Sequence, residues 1–183
     1  MVEEAIGAFF RKGFEATTLA DLEAATGVDR STLYNSFGGK TGLYESATDT
    51  YLSLAEAGLF APLLVGTSDG YADIGDFLTN LRTGLTSADA IPGCLIVNDM
   101  AAGADPVAAA RYRTMLENGL LAALARTGEL DDEQRSHRAG LLATAVVGVN
   151  LVAKATGDAN EIGRLIDALT DLVAGWVRSS SRG

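Results

Sequence analysis

Residues 17–40 read TTLADLEAATGVDRSTLYNSFGGK, and two short helix patterns meet in this stretch at Gly27. Thr18 followed three residues later by Asp21 is the pattern of a capping box at the start of the first helix. Asp29 suits the N-cap position of the second helix. Gly27 suits the tight turn between the two helices because a residue without a Cβ adopts positive φ at little steric cost. The stretch therefore predicts a helix-turn-helix.

The second helix of this motif has a polar face. Leu33 and Phe37 lie four residues apart and predict the side that packs inward. The residues on the outward side carry hydroxyl, amide, phenol and guanidinium groups: Arg30, Ser31, Thr32, Tyr34 and Asn35. Such groups hydrogen-bond base edges and phosphates, and the first N–H groups of a helix bind phosphate as well. We therefore predict that this helix enters a DNA groove, although Tyr34 also fits a half-buried position with its hydroxyl exposed.

The net charge of the chain does not favour nucleic acid. The whole chain carries a formal charge of −10, and residues 1–47 carry four basic residues against seven carboxylates, a net charge of −3. Affinity for DNA depends strongly on basic side chains that displace counterions from phosphates. We therefore expect DNA contact to depend on a few well-placed donors rather than on a broad positive field.

The composition is that of a soluble, cytoplasmic protein. Hydrophobic residues make up 48% of the 183 residues, which supports a substantial core. No unbroken apolar run approaches the roughly 18–20 residues of a membrane span, and the single cysteine, Cys94, excludes an internal disulfide framework. Ala and Leu dominate, strand-like alternation is scarce, and apolar residues recur at spacings of three and four. The expected fold class is all-α.

The residues from Ala5 to about Tyr51 resemble the DNA-binding domain of TetR/AcrR-type transcriptional regulators. The resemblance is carried by F-x-x-K-G-F-x-x-T-T, then D-L-x-x-A-T-G-V, then S-T-L-Y-x-x-F-x-x-K, in that order along AIGAFFRKGFEATTLADLEAATGVDRSTLYNSFGGKTGLYESA. Two features depart from the family pattern: no basic arm precedes the first helix, and Glu23 stands where a small residue is usual.

This resemblance implies an all-α homodimer that binds a palindromic operator in double-stranded DNA, represses transcription and is released by a small molecule. By position in the motif, Thr32, Tyr34 and Asn35 would contact DNA, and Lys40 would contact the DNA backbone. Thr17 and Thr18 would lie near phosphates, although both also fit helix caps. The expected organisation is a helix-turn-helix domain over residues 1–47 and a ligand-binding and dimerisation domain over residues 48–183.

The larger domain contains candidates for a ligand cavity. We expect an apolar or amphipathic ligand to contact Phe60, Leu64, Phe77, Leu81, Leu85, Cys94, Asn98, Met100, Tyr112 and Met115, with Leu95 and Leu116 nearby. If Asp99 faces inward, a cationic ligand is also expected. For any single residue of the set, an ordinary position in the core is an equally physical interpretation.

The last two predicted helices are strongly apolar and form the natural surface for pairing two copies. The candidate dimer residues are Leu142, Val146, Val149, Ile162, Leu165, Ile166, Leu169, Leu172 and Trp176. Small residues at Ala139, Ala143 and Gly148 would permit close helix contact, and two helices from each subunit would form a four-helix bundle. The alternative is that this surface packs only within the chain.

Other function classes find less support. The sequence contains no phosphate loop, no HExxH and no nucleophile elbow, so no catalytic residue, metal ligand or cofactor is predicted. His137 is the single histidine. No basic residue lies within ten positions of Cys94, which favours an inert buried thiol over a redox sensor. A helical adaptor that does not bind DNA is the main alternative, and an all-α enzyme is a weaker one.

Overall fold

The computed structural model describes residues 1–67, 69–88, 90–100, 103 and 105–180. It describes the side chains of these residues up to residue 178. Over these residues the chain forms helices and no strands, which confirms the predicted fold class. The helices are α1 (Val2–Ala16), α2 (Leu19–Thr26), α3 (Arg30–Phe37), α4 (Lys40–Ala57), α5 (Ala61–Leu64), α6 (Gly70–Thr86), α7 (Leu95–Met100), α8 (Pro106–Arg126), α9 (Asp132–Thr156) and α10 (Ala159–Ser180).

The helix starts follow from side chains that accept hydrogen bonds from unpaired N–H groups. Thr18 and Asp21 form the predicted capping box at α2, and Asp29 accepts from the backbone N–H of Thr32 at α3. Asp105 caps α8 in the same way. Two further caps of this kind are Asp69 at α6 and Asp131 at α9. Because these contacts are local, the sequence predicted several of the boundaries correctly.

The first three helices form a small unit around buried apolar side chains. Phe9 of α1, Leu22 of α2 and Leu33 of α3 are each fully buried, and Leu43 of α4 closes the cluster. Gly27 adopts the left-handed conformation, with φ of 72°, at the turn between α2 and α3. The predicted helix-turn-helix is therefore present, and Leu33 anchors α3 in this buried cluster.

The fourth helix connects this unit to the rest of the chain without interruption. It packs on α1 and α3, and it also packs on α5, α7 and α8. The predicted domain boundary at residue 47 falls inside α4, so any movement of α4 changes contacts in both parts of the molecule.

The core of the larger part is built by α6, α8, α9 and α10 together with short α5 and α7. Its centre is an aromatic cluster in which the ring of Phe60 lies 5.5 Å from that of Phe77 and 5.8 Å from that of Tyr112. A buried ion pair lies at its edge, where Arg126 Nε donates to Asp73 Oδ2 at 2.9 Å. Asp73 also accepts hydrogen bonds from the backbone N–H and the hydroxyl of Thr67.

Helix α9 departs from the expectation that no apolar segment approaches the length of a membrane span. Among the described helices it is long and apolar enough, by length and composition, to cross a membrane. The search for unbroken apolar runs missed it because Gly, Ala and Thr interrupt the aliphatic residues without making the helix polar. In the fold, α9 packs against α7, α8 and α10 and buries Leu142, Val146 and Asn150. This packing accounts for one side of its apolar surface.

Candidate nucleic-acid interface and ligand cavity

The polar face of α3 is open to solvent. Arg30, Ser31, Thr32 and Asn35 are exposed, and the side chain of Tyr34 is 51% exposed. Since Leu33 on the opposite side is fully buried, α3 is held in place while its polar face remains available. With 51% of its side chain exposed and its ring beside Gly39, Tyr34 agrees with the half-buried alternative as well as with a position on the outward face.

The ring of Tyr34 lies over the turn that follows α3. Its Cε1 atom is 3.1 Å from the place where a Cβ on Gly39 would stand, and Gly39 has a φ of 117°. A side chain at residue 39 would therefore meet the ring as well as being strained by the backbone. Gly39 thus lets the tyrosine ring pack beside the start of α4 while its hydroxyl end is exposed.

The start of α3 differs from the prediction that its N–H groups are free for phosphate. The backbone N–H of Arg30 donates to Glu23 Oε1 at 2.7 Å, and that of Thr32 donates to Asp29 Oδ1 at 2.7 Å. The hydrogen bonds from Thr32, and further from Ser31, lower the pKa of Asp29. Two carboxylates therefore occupy the positive end of α3, and phosphate contact must come from side chains instead. The sequence pattern did not indicate this contact between Glu23 and Arg30.

Thr17 and Thr18 have structural roles in this conformation. Thr17 is 1% exposed and its hydroxyl donates to the carbonyl of Gly13 at 2.7 Å, so its side chain does not reach the surface. The buried side chain of Thr17 is therefore not in a position to contact a phosphate, contrary to the prediction. Thr18 is exposed, and its hydroxyl forms the cap of α2 with Asp21.

Lys40 stands at the first residue of α4, beside the end of α1. Its ammonium group donates to the carbonyl of Glu15 at 3.2 Å and lies 4.4 Å from the centre of the Phe14 ring. An ammonium group has three donors, so this position leaves hydrogen-bonding capacity for a phosphate. Lys12, in contrast, forms an ion pair with Asp21 at 2.6 Å, which contributes to lowering the pKa of Asp21 to about 2.

A cavity of about 310 Å³ lies where α1 and α4 meet the larger part of the chain. This volume is at the lower end of the range of about 300–1,000 Å³ for small-molecule sites. Its lining residues are uncharged: Phe10, Tyr51, Ala55, Leu59, Asn80, Leu81, Gly84, Leu85, Ile91, Gly93, Cys94, Tyr112 and Asn150. Phe10 belongs to α1 and Tyr51 to α4. The cavity wall therefore includes one helix of the small unit formed by α1 to α3 and also the helix that follows this unit.

The ten candidate ligand residues are divided among several places. Four of them line this cavity: Leu81, Leu85, Cys94 and Tyr112. Leu64 and Met115 line a separate open groove of about 680 Å³ along α4 and α8. Asn98 lies in a cleft beside the end of α1, and Met100 lies in a surface pocket beside α8 and α9.

The other two candidates, Phe60 and Phe77, are fully buried in the aromatic cluster. They belong to the core rather than to the wall of this cavity. Leu95 is fully buried and Leu116 is 1% exposed, and neither lines it. Helical spacing alone does not separate cavity walls from core.

Two tyrosine hydroxyls on one face of α4 hold it against α7. Tyr44 donates to Asp99 Oδ2 at 2.6 Å, and Tyr51 donates to Cys94 Sγ at 3.3 Å. Burial and the hydrogen bond to Asp99 raise the pKa of Tyr44. Asp99 thus faces α4 and does not line the cavity of about 310 Å³, so the condition on which a cationic ligand was expected is not met in that cavity. Asp99 lines the cleft beside the end of α1 instead. We refer to the pairs Tyr44–Asp99 and Tyr51–Cys94 as the α4–α7 clamp.

The thiol of Cys94 is buried, as predicted. Burial raises the pKa of this thiol, and the hydrogen bond from Tyr51 offsets only part of that effect. A thiol with a raised pKa is protonated at neutral pH and reacts slowly as a nucleophile. The position of Cys94 therefore favours a packing role.

Comparison with known proteins identifies the first unit. Residues 2–47 match the family model described as bacterial regulatory proteins, tetR family. Residues 2–47 therefore form a unit that is similar to the N-terminal domain of TetR-family proteins. The members of this family are transcriptional regulators and not enzymes.

Two curated relatives agree with this similarity. The HTH-type transcriptional repressor ComR of Escherichia coli is 33% identical over 98 residues, which cover 54% of this chain and 47% of ComR. The chain thus spans about half the length of that relative. An uncharacterized HTH-type transcriptional regulator, YezE of Bacillus subtilis, is 28% identical over 177 residues and 91% of each chain.

Solved structures of TetR-family proteins have the same fold over nearly the whole chain. A cysteine mutant of the TetR family regulator CifR, complexed with 26-base-pair double-strand operator DNA, matches with a TM-score of 0.80 at 23% identity. The match covers 96% of this chain and 94% of CifR. The helices α4 to α10 therefore have the same fold as the corresponding part of CifR.

The predicted dimer residues of this chain fall into two groups. Five of them are buried within the chain and do not reach its surface: Leu142, Val146, Val149, Ile162 and Ile166. Ala139 and Ala143 also face inward. The apolar pattern on which they were chosen marks the inner face of α9 and α10, because packing within the chain produces the same spacing as packing between chains.

The other four predicted residues remain at the surface of α10. Leu165 is exposed, whereas Leu169, Leu172 and Trp176 are half-buried. The ring of Trp176 stacks on the guanidinium of Arg138. The sequence-based selection missed three large exposed apolar side chains on these two helices: Leu141, Leu151 and Val177.

Proposed function

We propose that this chain is a TetR-family transcriptional repressor that binds a palindromic operator as a homodimer and is released by a small molecule. The observation that carries the proposal is the exposed polar face of α3, anchored from behind by Leu33 in the unit that matches the family model. Side chains of this chemistry at the surface of a fixed short helix suit the major groove. We place the protein in the cytoplasm, where it reaches DNA.

The unpartnered apolar side chains of α9 and α10 support dimer formation. Leu141 is 51% exposed, Leu151 is 41% exposed and Leu165 is 36% exposed. A second copy would cover these side chains with its own α9 and α10 to form a four-helix bundle. Two α3 helices would then read half-sites about 34–36 Å apart, or a multiple of this. We propose that a second copy, and not lipid, covers the outer face of α9.

The experiment that tests the proposal is an electrophoretic mobility shift with the DNA next to the gene that encodes the chain. We expect a complex of two subunits per operator whose affinity falls with salt. Because few basic side chains are available, the dependence should be shallow, with a slope of about −4 for two donors per subunit. Absence of a shift at low salt would favour the adaptor function instead.

Dimer formation can be tested by a charge on the outer face of α9. We expect Leu151→Glu to convert the protein to a monomer and to reduce operator affinity at least about tenfold, because a buried carboxylate without a partner costs several kcal/mol. Light scattering after size exclusion measures the mass. Val65→Glu is the matched control, since Val65 is 85% exposed away from these helices. A Leu151→Glu protein that is still dimeric would place the interface elsewhere.

The route from ligand to DNA is proposed to run through α4. A ligand in the cavity would touch Phe10 and Tyr51, and so would bear on α1 and α4 directly. The same α4 carries Tyr44, whose hydrogen bond to Asp99 closes the α4–α7 clamp at its other end. A ligand that fits better when α4 has swung away from α7 would shift the population toward that state. The two α3 helices would then no longer match the groove spacing.

The clamp can be tested with Tyr44→Phe, which keeps the ring and removes one hydrogen bond. We expect operator affinity without ligand to fall about 10- to 150-fold, since a buried hydrogen bond to a charged group contributes about 1.5–3 kcal/mol to the clamped state. Fluorescence anisotropy with labelled operator measures the affinity. Tyr71→Phe, a tyrosine outside α4, is the control. Parent-like affinity in a folded Tyr44→Phe protein would remove the clamp from the mechanism.

A further inference from the structure

The cavity bounded by Phe10, Tyr51, Cys94 and Tyr112 has a polar group that the protein itself does not satisfy. Among the described residues, the hydroxyl of Tyr112 has no hydrogen-bond partner, although Tyr112 is only 1% exposed. A buried hydroxyl without a hydrogen-bond partner destabilises the structure that contains it. Such a group next to a cavity of ligand size indicates that its partner arrives from outside the chain.

The position of this hydroxyl is fixed by its neighbours. The ring of Tyr112 packs edge-on against Phe60. The Cys94 thiol lies near enough to the Tyr112 hydroxyl to affect its pKa, but the two groups do not meet hydrogen-bond geometry, so the hydroxyl remains unsatisfied. The nearby hydroxyl of Tyr51 already donates to Cys94. Burial raises the pKa of Tyr112 well above its ordinary value, so the phenol keeps its proton and can donate it to a ligand.

The remaining wall of the cavity limits the charge of the ligand. Its polar members are hydroxyl, thiol and amide groups, and Asp, Glu, Lys, Arg and His are absent from the lining residues. An ion placed there would lose its hydration without meeting a counter-charge, which costs several kcal/mol. Asp99 cannot supply that charge because it is engaged by Tyr44 outside the cavity.

We infer that the ligand of this cavity is a small, neutral, largely apolar molecule that carries one oxygen acceptor, such as an aromatic ketone, and that the Tyr112 hydroxyl donates a hydrogen bond to that oxygen. This inference rests on the proposed ligand-responsive function and specifies its ligand. The aromatic side chains of Phe10, Tyr51 and Tyr112 suit a flat ring, and the volume of about 310 Å³ suits a molecule of modest size.

The test uses calorimetric titration of the full-length protein with three probes of one shape. Acetophenone carries the acceptor, α-methylstyrene replaces its oxygen by a methylene group, and benzoate carries a charge. We expect acetophenone to bind about tenfold more tightly than α-methylstyrene, and benzoate not to bind. In Tyr112→Phe the preference for acetophenone should disappear, with α-methylstyrene binding at least as tightly as to the parent protein.

Two controls distinguish recognition by Tyr112 from a structural role. Without probe, Tyr112→Phe should have a melting temperature equal to or above that of the parent, because the change removes an unsatisfied hydroxyl. Tyr71→Phe, at a tyrosine that does not line the cavity, should keep the preference for acetophenone. Failure of acetophenone to bind, equal binding of the oxygen-free probe, or an unchanged preference in Tyr112→Phe would overturn the inference.

Operator binding measured without probe separates this inference from the proposed function. A protein that shifts operator DNA but shows none of these preferences would retain the proposed function and lose the assigned ligand class. A protein that shows the preferences but does not bind DNA would lose the proposed function alone.

Discussion

Replacement of Tyr34 by alanine is expected to reduce operator affinity at least about 30-fold. The side chain is 51% exposed on the face of α3 that we propose enters the groove, and its ring is positioned by Gly39. A good side-chain contact to a base contributes about 1–3 kcal/mol. Because a dimer makes the contact twice, the expected loss is about 2–6 kcal/mol. Fluorescence anisotropy against operator and unrelated DNA measures it.

Two further variants show whether the loss comes from reading the DNA. Tyr34→Phe keeps the ring and removes the hydroxyl, and so shows which of the two groups contributes to operator affinity. Lys40→Ala should weaken binding to all sequences about equally and reduce the salt slope by about 2, one unit for each subunit, because it removes a contact to phosphate. Val65→Ala, at a residue 85% exposed and away from α3, should leave affinity unchanged. If Tyr34→Ala bound the operator as tightly as the parent, α3 would not be the reading helix.

The sequence predicted the parts of the fold that depend on local contacts. A cap requires only a side chain and the N–H groups two or three residues ahead, so Thr18, Asp29 and Asp105 could be assigned from their neighbours alone. The polar face of α3 was predictable for the same reason, since the position of Leu33 decides which residues point outward. The order of the family motif then added the expectation of DNA binding.

The sequence did not predict contacts between distant segments. The hydrogen bond from Tyr44 to Asp99 joins residues 55 positions apart, and neither residue type indicates its partner. The buried position of Thr17 depends on the bend at Gly13, which a list of helix-forming residues does not reveal. Periodicity likewise showed that Val146 and Ile162 lie on apolar faces but not whether the face meets this chain or a second one.

The buried ion pair makes Arg126→Met the most destabilising substitution that we expect. Arg126 donates to Asp73, whose side chain is 2% exposed, and to the carbonyl groups of Pro62 and Leu63. Methionine fills similar space, but among the described residues it leaves the buried Asp73 carboxylate with Thr67 as its remaining hydrogen-bond partner. Breaking a buried pair in this way costs about 3–5 kcal/mol, which chemical denaturation would measure as a lower free energy of unfolding. Arg113→Met, at an exposed arginine, should change it little.

The dependence of this effect on pH distinguishes a lost charge pair from lost packing. Burial opposes ionisation of Asp73, but hydrogen bonds from Thr67 and Arg126 outweigh it and lower the pKa below its ordinary value of 3.8. A lowered pKa contributes stability that is present above that value and is lost as the pH falls through the folded-state pKa.

In Arg126→Met, burial should dominate and raise the pKa of Asp73. The difference in unfolding free energy between parent and variant should therefore shrink as the pH falls below about 5, when Asp73 of the variant is protonated. The double variant Asp73→Asn/Arg126→Met should recover part of the loss at pH 7, since the amide carries no charge to bury. A difference that is the same at pH 4 and pH 7, with no recovery in the double variant, would mean that Arg126 stabilises the fold through the packing of its stem alone.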